Sequence, residues 1–241
     1  MTEDEWRTSR HGPQMLAFVQ TATVPVRTRW LGWMEARRFP VSERKIRLVE
    51  VACCDRVADL VPLASVRSLI EVARQQDEAG AVLVQEAGRL PGGVYATSTP
   101  AERLAIDAVV RFYERASCRG GDVLVLAARA RAEAVAGQSP SGVYERQWHD
   151  ALADEQAAQA DLVRDAIGNP FRREAVDLAW LVANDRAALR IAEGGTFADL
   201  PILADALEDA GCTSRAILDH CRGPGPHVVG CWVVDAILGR E

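Results

Sequence analysis

Lysine is almost missing from this chain. Lys45 is the only one among 241 residues, so the basic groups are nearly all arginine. Tyrosine and phenylalanine are scarce, with 3 and 5 copies, and continuous β-branched runs are few, which counts against a β-rich fold. No apolar run approaches the roughly 20 residues that span a bilayer, which excludes a membrane-crossing helix. The first residues, Met1 to Trp6, are acidic and lack the basic and apolar regions of a signal peptide. The expectation is therefore a cytoplasmic protein in a reducing compartment, where the 6 cysteines serve as thiols or metal ligands rather than disulfides. Positive charge is not in excess. The formal net charge is −6, which argues against a general binder of nucleic acid or of a membrane surface. Nucleophile elbow, phosphate loop and dinucleotide fingerprint are all missing, since Gly92-Gly93 and Gly194-Gly195 lack the required spacing and context.

What the chain has in quantity is helix-forming material. Ala, Leu, Arg and Glu abound, and 49% of the residues are hydrophobic, enough for a substantial core. Thr2 and Glu5 have capping-box spacing, so a helix starts at once. Pro13 suits the first turn of a second helix. Thr21 to Thr28, with Pro25 inside it, reads as a loop, and Arg29 to Arg38 reads as a helix that buries Trp30, Leu31, Trp33 and Met34. Ser42 caps a helix with Ile46, Val49, Ala52, Cys53, Val57 and Leu60 at three- or four-residue spacing. Cys53 and Cys54 straddle its face, so one is expected inside with the other pointing elsewhere. Ser65 to Glu78 repeats the amphipathic pattern.

Pro91-Gly92-Gly93 marks the clearest internal loop. Thr99-Pro100 with Glu102 opens a helix to Ala116, Asp122 caps an Ala-rich one to Ala136, and Val143 to Ile167 forms a long one. After Gly168-Asn169-Pro170, helices are expected over Ala175 to Glu193, Leu200 to Ala210, Thr213 to Cys221 and, past Gly223-Pro224-Gly225-Pro226, Val228 to Leu238. The fold class is therefore all-α, an irregular multi-helix bundle of about nine to eleven helices. A division into 1–95 and 96–241 is favoured, with a single domain over 1–241 as the alternative.

Several phrases in the last third carry a likeness. Gly168-Asn169-Pro170-Phe171-Arg172, the run from Leu200 through Asp205 to Gly211-Cys212, His220-Cys221-Arg222-Gly223-Pro224-Gly225-Pro226-His227 and Gly230-Cys231-Trp232-Val233-Val234-Asp235 resemble an uncharacterised bacterial helical family. The resemblance implies a bounded C-terminal unit. It implies no activity and brings no catalytic residue with it.

The same region holds the densest chemistry. Cys212, His220, Cys221, His227 and Cys231 lie close together, and zinc prefers four thiolate or imidazole ligands in a tetrahedron. Cys221, His227 and Cys231 would serve, with Cys212 or His220 as the fourth. His227 and Cys231 share a face if the last helix starts at Pro226. The set lacks a paired Cys-x-x-Cys, and cysteine is often simply core. Cys221 and His227 with Asp219 or Asp235 also supply the raw material of a thiol enzyme. Arg27 to Arg47, with Trp30 and Trp33, could hold phosphates and stack on bases. Asp199, Asp205, Glu208 and Asp209 could hold Mg²⁺ through water or form a solvated face.

On balance the sequence points to a non-catalytic protein-interaction or adaptor module with a protein partner or a second copy of itself. The alternatives are a metal-binding protein or hydrolase centred on the C-terminal Cys/His cluster, and a nucleic-acid-associated protein using Arg27 to Arg47. Zinc at that cluster is the only cofactor in view. No membrane partner is expected.

Overall fold

A computed structural model of the chain describes residues 1–21, 23–27, 34–38, 41–75, 94–113, 121–140 and 142–240. The framework is all-α. In order come α1 (Glu3–Thr8), α2 (Gly12–Thr21), β1 (Thr23–Arg27), β2 (Met34–Arg38), α3 (Glu43–Asp55), α4 (Ala64–Gln75), α5 (Pro100–Tyr113), α6 (Gly121–Ala136), α7 (Tyr144–Ile167), α8 (Leu178–Gly194), α9 (Leu200–Asp209), α10 (Arg215–Arg222) and α11 (Trp232–Leu238), with one helical turn at Val94–Thr97. Helices start where a polar side chain takes up the free N–H groups of the first turn. Thr2 and Glu5 close a capping box at α1, Thr99 and Glu102 close another at α5, and Ser42 accepts from the Lys45 amide at α3.

One local expectation fails. Met34–Arg38, read as the end of a helix, is a strand paired antiparallel with Thr23–Arg27, read as loop, in the register Pro25↔Ala36. In a two-stranded ribbon each strand keeps a free edge, so a proline without an N–H is tolerated there. Trp30, Leu31 and Trp33 lie outside the described residues, as does Cys118.

The chain divides into two compact units, Met1–Val163 and Arg164–Glu241, and not near residue 95. The reason is packing in the first unit. Helices α5 and α6 lie against each other and both lie against α3, while α6 also meets α2 and α5 meets α4. A cut at residue 95 would bare that core. Alanine makes the approach possible: Ala105, Ala108, Ala127, Ala128, Ala130, Ala132 and Ala160 are all buried. Helix α3 is enclosed on several sides, so Cys53 and Cys54 are both buried, and burial raises both thiols above their ordinary range. Polar ties fix the register of the helices. Arg56 makes a two-pronged ion pair with the buried Glu155 at 2.6 and 2.7 Å, Gln159 donates to the Leu124 carbonyl at 3.0 Å, and Tyr113 donates to the Leu69 carbonyl at 2.6 Å.

The second unit has its own core, built from Ala188, Leu200, Leu203, Ala204, Leu207, Cys212, Ile217, Leu218, Cys221, Cys231, Val233 and Ile237. Helix α9 ends in a Schellman turn. Gly211 sits at φ +95°, its N–H reaches the Glu208 carbonyl, and the Cys212 N–H reaches the Leu207 carbonyl at 2.9 Å. Helix α8 is broken inside its span, because Asn184, Asp185 and Arg186 are left-handed at φ 49°, 55° and 59°. Asn and Asp tolerate that region, whereas for Arg it costs about 1–2 kcal/mol. A further local expectation is corrected at the C-terminus. Val228 to Gly230 are not helical, and α11 begins only at Trp232 with Cys231 as its N-cap.

The close approach of α2 to α7 gives a test. A Cβ on Gly12 would lie 2.7 Å from Gln159 Cβ and 2.9 Å from the Ala160 backbone nitrogen, whereas one on Gly142 meets nothing within 4 Å. Gly12→Ala is expected to lower stability by about 1–3 kcal/mol in urea titrations, and Gly142→Ala to change it by less than about 0.5 kcal/mol. Equal effects would refute the packing.

Candidate metal centre

The site begins with a helix stop. Gly168 closes α7 in the left-handed region, at φ +71°. A side chain there would also collide, because a Cβ would lie 3.0 Å from the Trp232 ring. Asn169 then accepts from the amides of Phe171 and Arg172 at 2.9 and 3.3 Å, forming an Asx turn that turns the chain away. The last turn of α7, from Arg164 onward, belongs to the second unit and presents Asp165 to its interior.

Three further groups converge on this carboxylate. His220 comes from α10, His227 from the turn after it, and Cys231 from the N-cap of α11. Nδ1 of His227 lies 2.8 Å from Asp165 Oδ1, and Nε2 of His220 lies 3.2 Å from the same oxygen. That same Nε2 lies 3.1 Å from the Cys231 Sγ. The second oxygen, Asp165 Oδ2, accepts the Val228 N–H at 2.9 Å. One ligand atom from each of the four residues falls within 4.8 Å of every other. The side chains of Asp165 and His227 are 2% and 9% exposed and that of His220 is 19%, while Cys231 is fully buried.

Burial pushes the Cys231 thiol up to about 12, and the Asp165 carboxylate adds to the rise. A thiol so placed stays protonated at neutral pH unless a cation meets it. The arrangement is also wrong for a thiol triad. There the acid orients one imidazole nitrogen while the other activates the nucleophile. Here one nitrogen of His220 faces both the thiol and the carboxylate.

Convergence of this kind suits a tetrahedral ion. Zinc bonds of about 2.0–2.3 Å place neighbouring ligand atoms about 3.3–3.6 Å apart. The closest pairs here are slightly tighter than that and the widest somewhat looser, so shifts of about 1 Å or less would seat an ion. Charge agrees as well. A divalent ion with one carboxylate, one thiolate and two neutral imidazoles sums to zero, which suits a buried position. The surroundings orient the donors: Nε2 of His227 lies 3.3 Å from the Gly223 carbonyl, the usual outer partner of a ligating histidine, and Val228 holds the carboxylate. Trp232 covers the site from His220, its ring centroid 5.2 Å away, to Gly168.

Of the five residues singled out in the sequence, His220, His227 and Cys231 come together. Cys212 and Cys221 do not join them and pack in the apolar core. Burial pushes the Cys221 thiol up to about 12, with neighbouring Cys212 adding to it, and the nitrogens of His227 face Asp165 and Gly223 rather than Cys221. Asp165 was not anticipated. It stands 62 residues before His227, and its only local signal is its place one turn before the Gly168-Asn169-Pro170 stop.

Several described residues of the other constellations are engaged elsewhere, while the side chains of Arg27, Arg29, Arg37 and Arg38 lie outside the described residues. Arg222 bridges Asp205 at 2.7 Å and Glu208 at 2.5 Å, and Asp199 caps the Thr196 amide at 2.7 Å. Of the basic stretch, Lys45 is buried and Arg47 lies over the Phe112 ring, 5.9 Å from its centroid. Among the described residues no helix is long and apolar enough to cross a membrane.

Gly168→Ala combines a strained left-handed φ with a collision against Trp232. It is expected to destabilise the second unit by about 1–3 kcal/mol, read from tryptophan fluorescence during denaturation. Wild-type stability in that variant would contradict the helix stop described here. Comparison of the chain with protein-family models, with curated proteins and with solved structures finds no match.

Proposed function

We propose that the second unit is a metal-binding module holding one divalent transition-metal ion, zinc foremost, through Asp165, His220, His227 and Cys231. The observation that carries this reading is the convergence of four buried or half-buried donors, from three helix ends and one turn, onto one point. A mixed thiolate, imidazole and carboxylate set favours zinc over magnesium or calcium, which take oxygen ligands. Four protein donors leave no open position for a substrate or a water nucleophile. The reading is therefore a structural centre rather than a hydrolytic one.

Elemental mass spectrometry of the purified chain is expected to find one zinc per molecule, and chelation to lower the melting temperature. Cobalt substitution should give the visible absorption of a tetrahedral site. Cys231→Ser is expected to weaken metal binding on the order of 100-fold or more, whereas Cys221→Ala and Cys212→Ala keep one metal per chain. A metal-free protein whose melt ignores both zinc and chelator would end the proposal.

The protein-interaction reading retains support of its own. Leu178 and Val182, one helical turn apart at the start of α8, are 76% and 68% exposed. Apolar groups so displayed are suited to burial against a partner. If a second copy is that partner, light scattering should show a dimer that Leu178→Glu with Val182→Glu converts to monomer. A monomer at all concentrations would remove self-association from this reading.

A further inference from the structure

The metal centre divides its donors unevenly along the chain, and the division suggests what the ion controls. His227 and Cys231 lie in the stretch Gly223–Arg240, while Asp165 and His220 lie outside it. We infer that occupancy of the site acts as a latch for this stretch: metal holds Gly223–Arg240 docked, and loss of metal releases it while the rest of the second unit stays folded. The inference rests on the metal-binding reading above.

The turn of this stretch is poorly equipped to hold itself in place, and α11 is held by burying Cys231, Val233 and Ile237 in the core. From Gly223 to Gly230 it has no helix or strand, and Gly223, Pro224, Gly225, Pro226 and Gly230 supply most of its residues. Glycine loses more backbone freedom on ordering than any other residue, so fixing this turn is costly. Helix α11 has only 7 residues, and Cys231 at its N-cap makes no side-chain capping bond. Helices so short are marginal in water without tertiary support. Ties from this stretch to the rest of the unit include His227 and the Val228 amide to Asp165, and Cys231 to His220, all at the cluster itself. An ion there would bond two groups on each side of the joint.

The remainder of the unit has independent means of staying folded. Helices α9 and α10 pack together, α9 also packs on α8, Arg222 bridges from α10 to Asp205 and Glu208, and the Ser214 hydroxyl caps α10 and donates to Glu174 at 2.8 Å. Helix α11 covers part of α8 and α10. Release would therefore uncover apolar surface and make it accessible in the metal-free state, so that metal loading regulates what the unit exposes.

Hydrogen–deuterium exchange on the full chain tests the latch. The protein is compared after loading with zinc chloride and after chelation, with metal content measured on the same samples. Chelation is expected to speed amide exchange in residues 232–238 about tenfold or more, and to leave α9 and the Ile217–Cys221 part of α10 within about twofold. Asp165→Asn, which keeps the Val228 acceptor but weakens metal binding, should exchange like the chelated protein even with zinc present. Unchanged exchange in 232–238 after demonstrated metal loss would overturn the latch and leave the metal site standing. Equal acceleration across 164–240 would overturn it too, showing an ion that holds the whole unit. If the loaded sample retains no zinc, the latch and the metal-binding reading fail together.

Discussion

A buried polar group is costly unless it is given partners, and Asp165 shows how much structure that requirement recruits. Removing one charge from water costs far more than any single hydrogen bond returns. Here one oxygen takes a backbone N–H from Val228 and the other faces two imidazoles. Placing those partners needs a helix that stops just after Asp165, a turn that folds back over it, and a last helix that starts at Cys231. Gly168, Asn169 and the glycine- and proline-rich turn serve these needs in sequence. The phrases that stand out in the last third of the chain are largely the residues on which this arrangement depends.

The apolar core of the same unit does different work. Leu200, Leu203, Leu207, Ile217, Val233 and Ile237 supply most of the buried hydrocarbon, and Cys212 and Cys221 fill space among them as small apolar groups. Surface ion pairs such as Arg222 with Asp205 and Glu208 add little energy, since both acids are largely solvated. They fix the facing of α9 and α10 more than they stabilise them. The first unit relies on close alanine packing and a few buried polar ties, and Arg56 with Glu155 joins the end of α3 to α7.

Much of the framework was readable because helix signals are local. Thr2, Ser42, Thr99 and Gly211 act on neighbours within a few residues, so the pattern of caps and stops reveals their helices directly. The failures share an opposite cause. The ribbon of β1 and β2 owes its pairing to a partner strand, so Met34–Arg38 looks helical when read alone. The break at Asn184–Arg186 interrupts a segment whose apolar spacing suits one continuous helix. The expected boundary at residue 95 followed a loop signal, whereas the real division follows which helices share a core.

The site shows the same split. Composition and spacing alone determined that the chain is helical, that three of its six cysteines and two of its four histidines lie near the C-terminus, and that a glycine- and proline-rich turn stands among them. Tertiary structure decided which of them meet. It drew His220, His227 and Cys231 together, left Cys212 and Cys221 in the core, and brought Asp165 from a distant helix end. Neighbours in sequence are separated by which way each helix turns its side chains, and groups 62 residues apart are joined when a helix end and a turn pack together. No spacing rule reaches across that distance, because the contact is made by the packing of elements and not by the chain that links them.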